Sequence, residues 1–97
     1  MIKNELEQNM MEYSIEEIKM AEKYIHLAKE CSDQSLAVKL QEIAKDEMRH
    51  YDFLKQTLDT KLSATPDGKT IKGELLEKVY DNWICKVRNK VDTFKFK

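Results

Sequence analysis

The chain has 97 residues, 36% of them charged, and its 17 Lys and Arg nearly cancel its 18 Asp and Glu. This balance argues against a basic nucleic-acid surface and against an acidic tail. Two Gly and one Pro leave little turn chemistry for a protein of many strands, so the composition favours helices. A chain of this length makes one domain with a thin core, which association with further copies would strengthen.

Three helical segments are predicted, over residues 3–31, 35–60 and 71–94. Ser32–Ser35 separates the first two segments, because it offers N-cap residues and a short turn. Ser63–Lys69 is predicted to be a loop, because it contains Pro66 and Gly68. We therefore expect residues 1–97 to form a single all-α domain, an antiparallel helical hairpin followed by a third helix.

The cysteines and the N-terminal segment indicate where the protein resides. Cys31 and Cys85 are too far apart in the sequence for a Cys-x-x-Cys metal site, and a single disulfide between them stays open. The N-terminal residues include several acids and no apolar run of the signal-peptide kind. No segment approaches the roughly 20 apolar residues that span a bilayer. We expect a reduced, cytoplasmic protein with no membrane or nucleic-acid partner.

Each of the first two predicted helices carries a heptad-like seam of apolar residues with a polar interruption. The seam of the first helix comprises Met10, Tyr13, Glu17, Met20, Tyr24, Leu27 and Cys31. The seam of the second helix comprises Leu36, Leu40, Ile43, Glu47, His50 and Leu54. Steps of three and four residues keep each set on one helix face, so each seam is expected to face a partner helix.

The polar members of the two seams suggest a metal site, because a buried acid is costly unless it is paired or bound to a metal. Glu17 facing Glu47 and His50 is half of the ligand set of di-iron and di-manganese carboxylate bundles. Carboxylates bridge hard cations, and an imidazole caps each of them. The chain has two His, and His26 falls on a charged face. Two copies related by a two-fold axis are therefore expected to complete the site.

Simpler explanations of the same residues remain open at this point. Ser14 to Glu17 matches a capping box, in which Glu17 would cap a helix that begins at Ser14. His50 could be a core histidine, and Glu47 could pair with an Arg or a Lys. The chain would then be a metal-free structural or regulatory helical module. The placement of all three residues in the two seams favours the metal hypothesis.

Two segments, Glu16–Tyr24 and Asp46–His50, resemble the ferritin-like superfamily. Rubrerythrins carry a similar Glu…Tyr pattern followed by Glu-x-x-His. The closer similarity is to encapsulated ferritins, short half-ferritin chains in which one helical hairpin supplies one Glu and one Glu-x-x-His. The similarity covers about a third of the chain, from Glu16 to His50. It implies a four-helix bundle that is completed by dimerisation.

The resemblance also implies an activity, a ferroxidase that oxidises Fe(II) to Fe(III) at a di-iron site between two subunits. Glu17, Glu47 and His50 would be its catalytic and metal-ligating residues, with Tyr24 as an aromatic neighbour. Iron is the implied metal, although manganese and zinc suit the same ligands. The implied partners are copies of the chain, in a homodimer or higher even-numbered oligomer, and an encapsulin-type shell that forms a nanocompartment. The enzyme alternative is a rubrerythrin-like peroxidase with an external electron donor, since the chain has no Cys-x-x-Cys pair.

Overall fold

A computed structural model describes residues 3–61 and 71–97. Within them the chain forms four helices and no strand: α1 (Lys3–Glu30), α2 (Gln34–Lys61), α3 (Ile71–Val79) and α4 (Asp81–Thr93). The all-α prediction is confirmed, and the first two predicted helices agree with α1 and α2 to within one residue at each end. The predicted loop Ser63–Lys69 lies outside the described residues.

The third predicted helix, over residues 71–94, is wrong as a single element, because it divides into α3 and α4 at Tyr80. Tyr80 has φ −105° and ψ −7°, and its carbonyl accepts the Ile84 N–H at 2.9 Å. The chain thus changes direction while it stays near helical backbone angles. The Tyr80 ring meets Trp83 edge-on, with ring centroids 6.3 Å apart, and both rings pack against the core. Periodicity does not reveal this break, because neither Gly nor Pro causes it.

Small buried side chains recur at seven-residue spacing on both long helices. These are Ser14, Ala21 and Ala28 on α1, and Ala37 and Ala44 on α2. The Ser14 hydroxyl donates to the Met10 carbonyl at 2.7 Å, so it is satisfied inside the interface. Small residues allow two helices to approach closely, and this approach places mid-helix side chains of α1 next to those of α2.

A short turn reverses the chain between the two long helices. Asp33 caps α2, because its Oδ1 accepts the Leu36 N–H at 2.9 Å and its carbonyl accepts the Ala37 N–H. The turn forces α2 to run back along α1. Residues equally distant from the turn therefore meet across the hairpin, and Glu17 and His50 form such a pair.

The buried stripe of each long helix lies one position beyond the predicted seam. It comprises Met11, Ser14, Ile18, Ala21, Ile25 and Ala28 on α1, and Ala37, Ala44, Met48, Tyr51 and Leu58 on α2. One residue turns an α-helix by about 100°, so the seams lie beside the hairpin core rather than inside it. Tyr13, Leu27, Leu36 and Ile43 of the seams are exposed.

α4 covers the side of the hairpin away from the seams. Arg88 of α4 pairs with both carboxylate oxygens of Asp52, at 2.8 and 3.3 Å, and Gln41 donates to the carbonyls of Val91 and Phe94. On α2, Gln41 and Asp52 lie roughly 120–140° around the helix from Glu47. The side of the hairpin that carries the two seams is therefore not covered by α4, and we name it the open face. It has exposed apolar residues, Tyr13, Leu27, Leu36 and Ile43, around the three predicted ligands. In the part of the chain that is described, no helix is long and apolar enough to cross a membrane.

Candidate metal centre

The structure brings the three predicted ligands together on the open face. One ligand atom from each of Glu17, Glu47 and His50 lies within 4.8 Å of the other two. His50 Nδ1 is 3.3 Å from Glu17 Oε2. Among the side chains that the structure describes, this is the one group of three or more acidic, His or Cys residues arranged for a metal ion. His26 is not part of it, because its ring pairs with Glu30 at 3.0 Å on an exposed surface.

Three simpler roles of the individual residues, as a cap, as a core histidine and as a partner of a basic side chain, do not fit the geometry. α1 begins at Lys3, so Ser14 lies inside the helix, and a capping role for Glu17 is wrong. The His50 side chain is 59% exposed, so it is not a core histidine. Within the described part of the chain, no Lys or Arg side chain pairs with Glu47, and the neighbouring Arg49 bonds to Asp46 instead.

Local structure fixes which side chains can meet. Glu47 and His50 are three residues apart on α2, almost one turn, so both point from the same face. Glu17 lies on the neighbouring face of α1 and is 25% exposed. Tyr24, the predicted aromatic neighbour, lies two turns along α1 and is partly buried against the core.

The neighbouring Glu17 changes the protonation of Glu47. A hydrogen bond to Glu17, burial, and the Glu17 charge raise the pKa of Glu47 to about 7, and the proximity of His50 opposes this shift. Two carboxylates at one place therefore hold a proton between them in the absence of a cation. A divalent cation would replace that proton. The donor set of two carboxylates and an imidazole suits iron, manganese or zinc.

The raised pKa of Glu47 predicts how the stability of the metal-free protein depends on pH. A carboxyl group whose pKa is higher in the folded state stabilises the fold at low pH, and this contribution is lost as pH rises through about 7. We expect a loss of about 1 kcal/mol between pH 5 and 8, since the partial exposure screens the full effect. The melting temperature would fall by about 5 °C.

The Glu47→Gln variant tests this expectation, because glutamine stays neutral. At pH about 8 it should melt at a higher temperature than the parent protein, and near pH 5 the two should agree. Glu42→Gln, an exposed change on the same helix, is the matched control and should follow the parent. If the melting temperatures of the parent protein and of Glu47→Gln changed with pH in the same way, this would contradict a proton held between Glu17 and Glu47.

Comparisons of the chain with protein-family models, curated proteins and solved structures find no match. The relation to encapsulated ferritins and rubrerythrins therefore stays a resemblance, carried by the residues from Glu16 to His50. What supports a function is the arrangement of the side chains themselves. Its main features are the convergence of three ligand-type groups and their position on a face that α4 leaves open.

Proposed function

We propose that this protein is a di-iron carboxylate ferroxidase, which oxidises Fe(II) to Fe(III) at a site shared between two copies of the chain. The observation that carries the proposal is the convergence of Glu17, Glu47 and His50 within 4.8 Å on the open face. A second copy packed on the open face would bury these three groups, and buried acids are costly unless they are paired or bound to a metal.

A second copy would supply the ligands that one chain lacks. Three side chains leave a cation largely open to water, and His50 is 59% exposed. A two-fold axis through the open face would bring the same three groups from the partner. The sum would be four carboxylates and two His, the set of ferritin-like di-metal bundles. Two hairpins would then form the four-helix bundle that the resemblance implies.

The apolar surroundings of the site favour the same assembly. Tyr13 and Leu27 of α1 are 58% and 50% exposed, and Leu36 and Ile43 of α2 are 50% and 38% exposed. These side chains belong to the two predicted seams, which flank the ligands along the hairpin. Packing two open faces together would remove this apolar area from water, which is the main driving force for association.

Charge neutrality also supports a pair of divalent cations. Four carboxylates at one interface would carry a charge of about −4, which is prohibitive in a desolvated site without cations. Two Fe(II) ions balance this charge and displace the proton held near Glu47. The imidazole of each His50 would then serve as a nitrogen ligand.

The chemistry requires the protein to hold two Fe(II) substrates side by side. Each Fe(II) gives up one electron, so two of them reduce one O2, with two protons, to hydrogen peroxide. With peroxide as the oxidant, the same two electrons and two protons give two water molecules. Glu17, Glu47 and His50 of each copy would hold the two ions, with Glu47 as the candidate for a bridging carboxylate, Glu17 for a terminal ligand and His50 for a capping ligand. The protein fixes the ligand number, leaves positions for the oxidant and keeps bulk water out.

Native mass spectrometry of anaerobic protein, before and after addition of Fe(II), tests the proposal. We expect iron only on even-numbered oligomers, at about one iron per chain. Binding should also raise the melting temperature with iron concentration, because only the folded state holds the site. An oligomer that takes up no iron would refute the proposal and leave the three residues in a structural module. Iron held by monomers would refute the shared site.

A further inference from the structure

A cavity lies at the end of the hairpin where the turn joins α1 to α2, here named the closed end, well away from Glu17, Glu47 and His50. α4 runs antiparallel to α2, so the residues after it reach the turn between α1 and α2. There a cavity of about 330 Å³ is lined by Lys29, Cys31, Lys95, Phe96 and Lys97. Three of the five lining residues are lysines, and no acidic side chain lines the space.

The acidic side chains nearest in the sequence, Glu30 and Asp33, contact other groups. Glu30 pairs with His26 at 3.0 Å, and Asp33 accepts the Leu36 N–H as the cap of α2. Within the described part of the chain, Lys29, Lys95 and Lys97 form no ion pair. Three lysines without an ion pair at one cavity concentrate positive charge there.

A second charged cavity shows the contrasting arrangement. Between α2 and α4 lies a space of about 250 Å³ that is lined by three basic residues, two acidic residues and one methionine: Lys45, Arg49, Arg88, Asp52, Asp92 and Met48. Arg88 already binds Asp52 through two hydrogen bonds, and Arg49 bonds to Asp46. Two of the three basic groups of that cavity, Arg49 and Arg88, are paired with aspartates, whereas none of the three lysines at the closed end is paired within the described residues.

We propose that the closed-end cavity binds a multivalent oxyanion larger than a single phosphate, such as a diphosphate or a tricarboxylate. Lysine ammonium groups bind oxyanions as flexible point charges, and three of them match a ligand with three or more negative charges. The volume of about 330 Å³ exceeds what one phosphate needs, and Phe96 provides an apolar wall. This inference goes beyond the proposed oxidase function, because the cavity contains none of its ligands.

The two cysteines provide a built-in reporter of binding. Cys31 lines the cavity, whereas Cys85 is exposed on α4 beside Asp81. The full chain, without added iron, would be alkylated with iodoacetamide in the presence of pyrophosphate or citrate at constant ionic strength. Peptide mass spectrometry gives the rate at each thiol. We expect saturating anion to slow Cys31 alkylation about 10-fold or more and to leave Cys85 unchanged.

Two lysine variants assign the effect to the cavity. Lys95→Gln should weaken the protection by about 5-fold, as expected for one lost charge contact. Lys45→Gln removes the same charge from the cavity that contains two aspartates, and protection should persist. Protection by pyrophosphate alone assigns a phosphate ligand, and protection by citrate alone assigns a carboxylate ligand. No protection, equal protection of both thiols, or equal weakening by both variants would overturn the proposal.

Discussion

Glu17→Gln and His50→Ala are each expected to slow Fe(II) oxidation by about 100-fold or more. Loss of a side chain that only supports a metal ligand costs about 10–100-fold, so removal of a ligand should cost at least as much. The two residues contact each other at 3.3 Å and come from different helices, so either change opens one side of the site. The rate is measured by mixing anaerobic protein and Fe(II) with O2 and following Fe(III) absorbance.

Two neighbouring residues provide matched controls for these ligand variants. Glu16→Gln changes the adjacent acid, which is exposed and pairs with Lys19. His26→Ala removes the other histidine, which is exposed and pairs with Glu30. Both control proteins should oxidise Fe(II) at close to the parent rate. Parent-like oxidation by the ligand variants, or an equal loss in the controls, would contradict the assignment of the site.

Ile43→Glu is expected to disrupt association and iron uptake together. Ile43 lies on the open face one turn from Glu47, and a second copy would bury it. A glutamate there would place an uncompensated charge in the interface, at a cost of about 2 kcal/mol or more. Association should weaken by about 30-fold or more. Sedimentation and native mass spectrometry should show monomers that bind no iron at concentrations at which the parent protein is oligomeric.

Val38→Glu is the matched control for this interface change. Val38 and Ile43 are both β-branched residues of α2, with similar exposures of 40% and 38%. Five residues separate them, so they point from faces about 140° apart. Val38→Glu should therefore leave both association and iron binding intact. Monomers produced by both variants would indicate nonspecific destabilisation, and parent-like assembly of Ile43→Glu would exclude the open face as the interface.

The sequence was sufficient to predict the two long helices, because their apolar spacing continues without Gly or Pro and Asp33 provides a cap. The division at Tyr80 was not predictable in the same way. It depends on how α3 and α4 each pack against the hairpin, and the apolar spacing continues across it. The sequence also did not decide which face of α2 is buried, since Ile43 and its neighbour Ala44 each fit an apolar stripe. In the structure Ala44 is buried and Ile43 is exposed. Which of the two residues is buried depends on how closely α1 and α2 approach each other, and a close approach favours the smaller side chain.

For the candidate site, the sequence by itself determined the residue types and their spacing. Glu47 and His50 share a face because the helix repeat requires it, and a short turn then brings Glu17 to the same height. Only the tertiary structure decided which side of the hairpin stays open. Gln41 and Asp52 bind α4 on the opposite side, and this packing leaves the seam residues exposed around the ligands. Lys29 comes close to Lys95 and Lys97 only through that packing, because Lys29 lies at the end of α1 and the other two lysines follow α4.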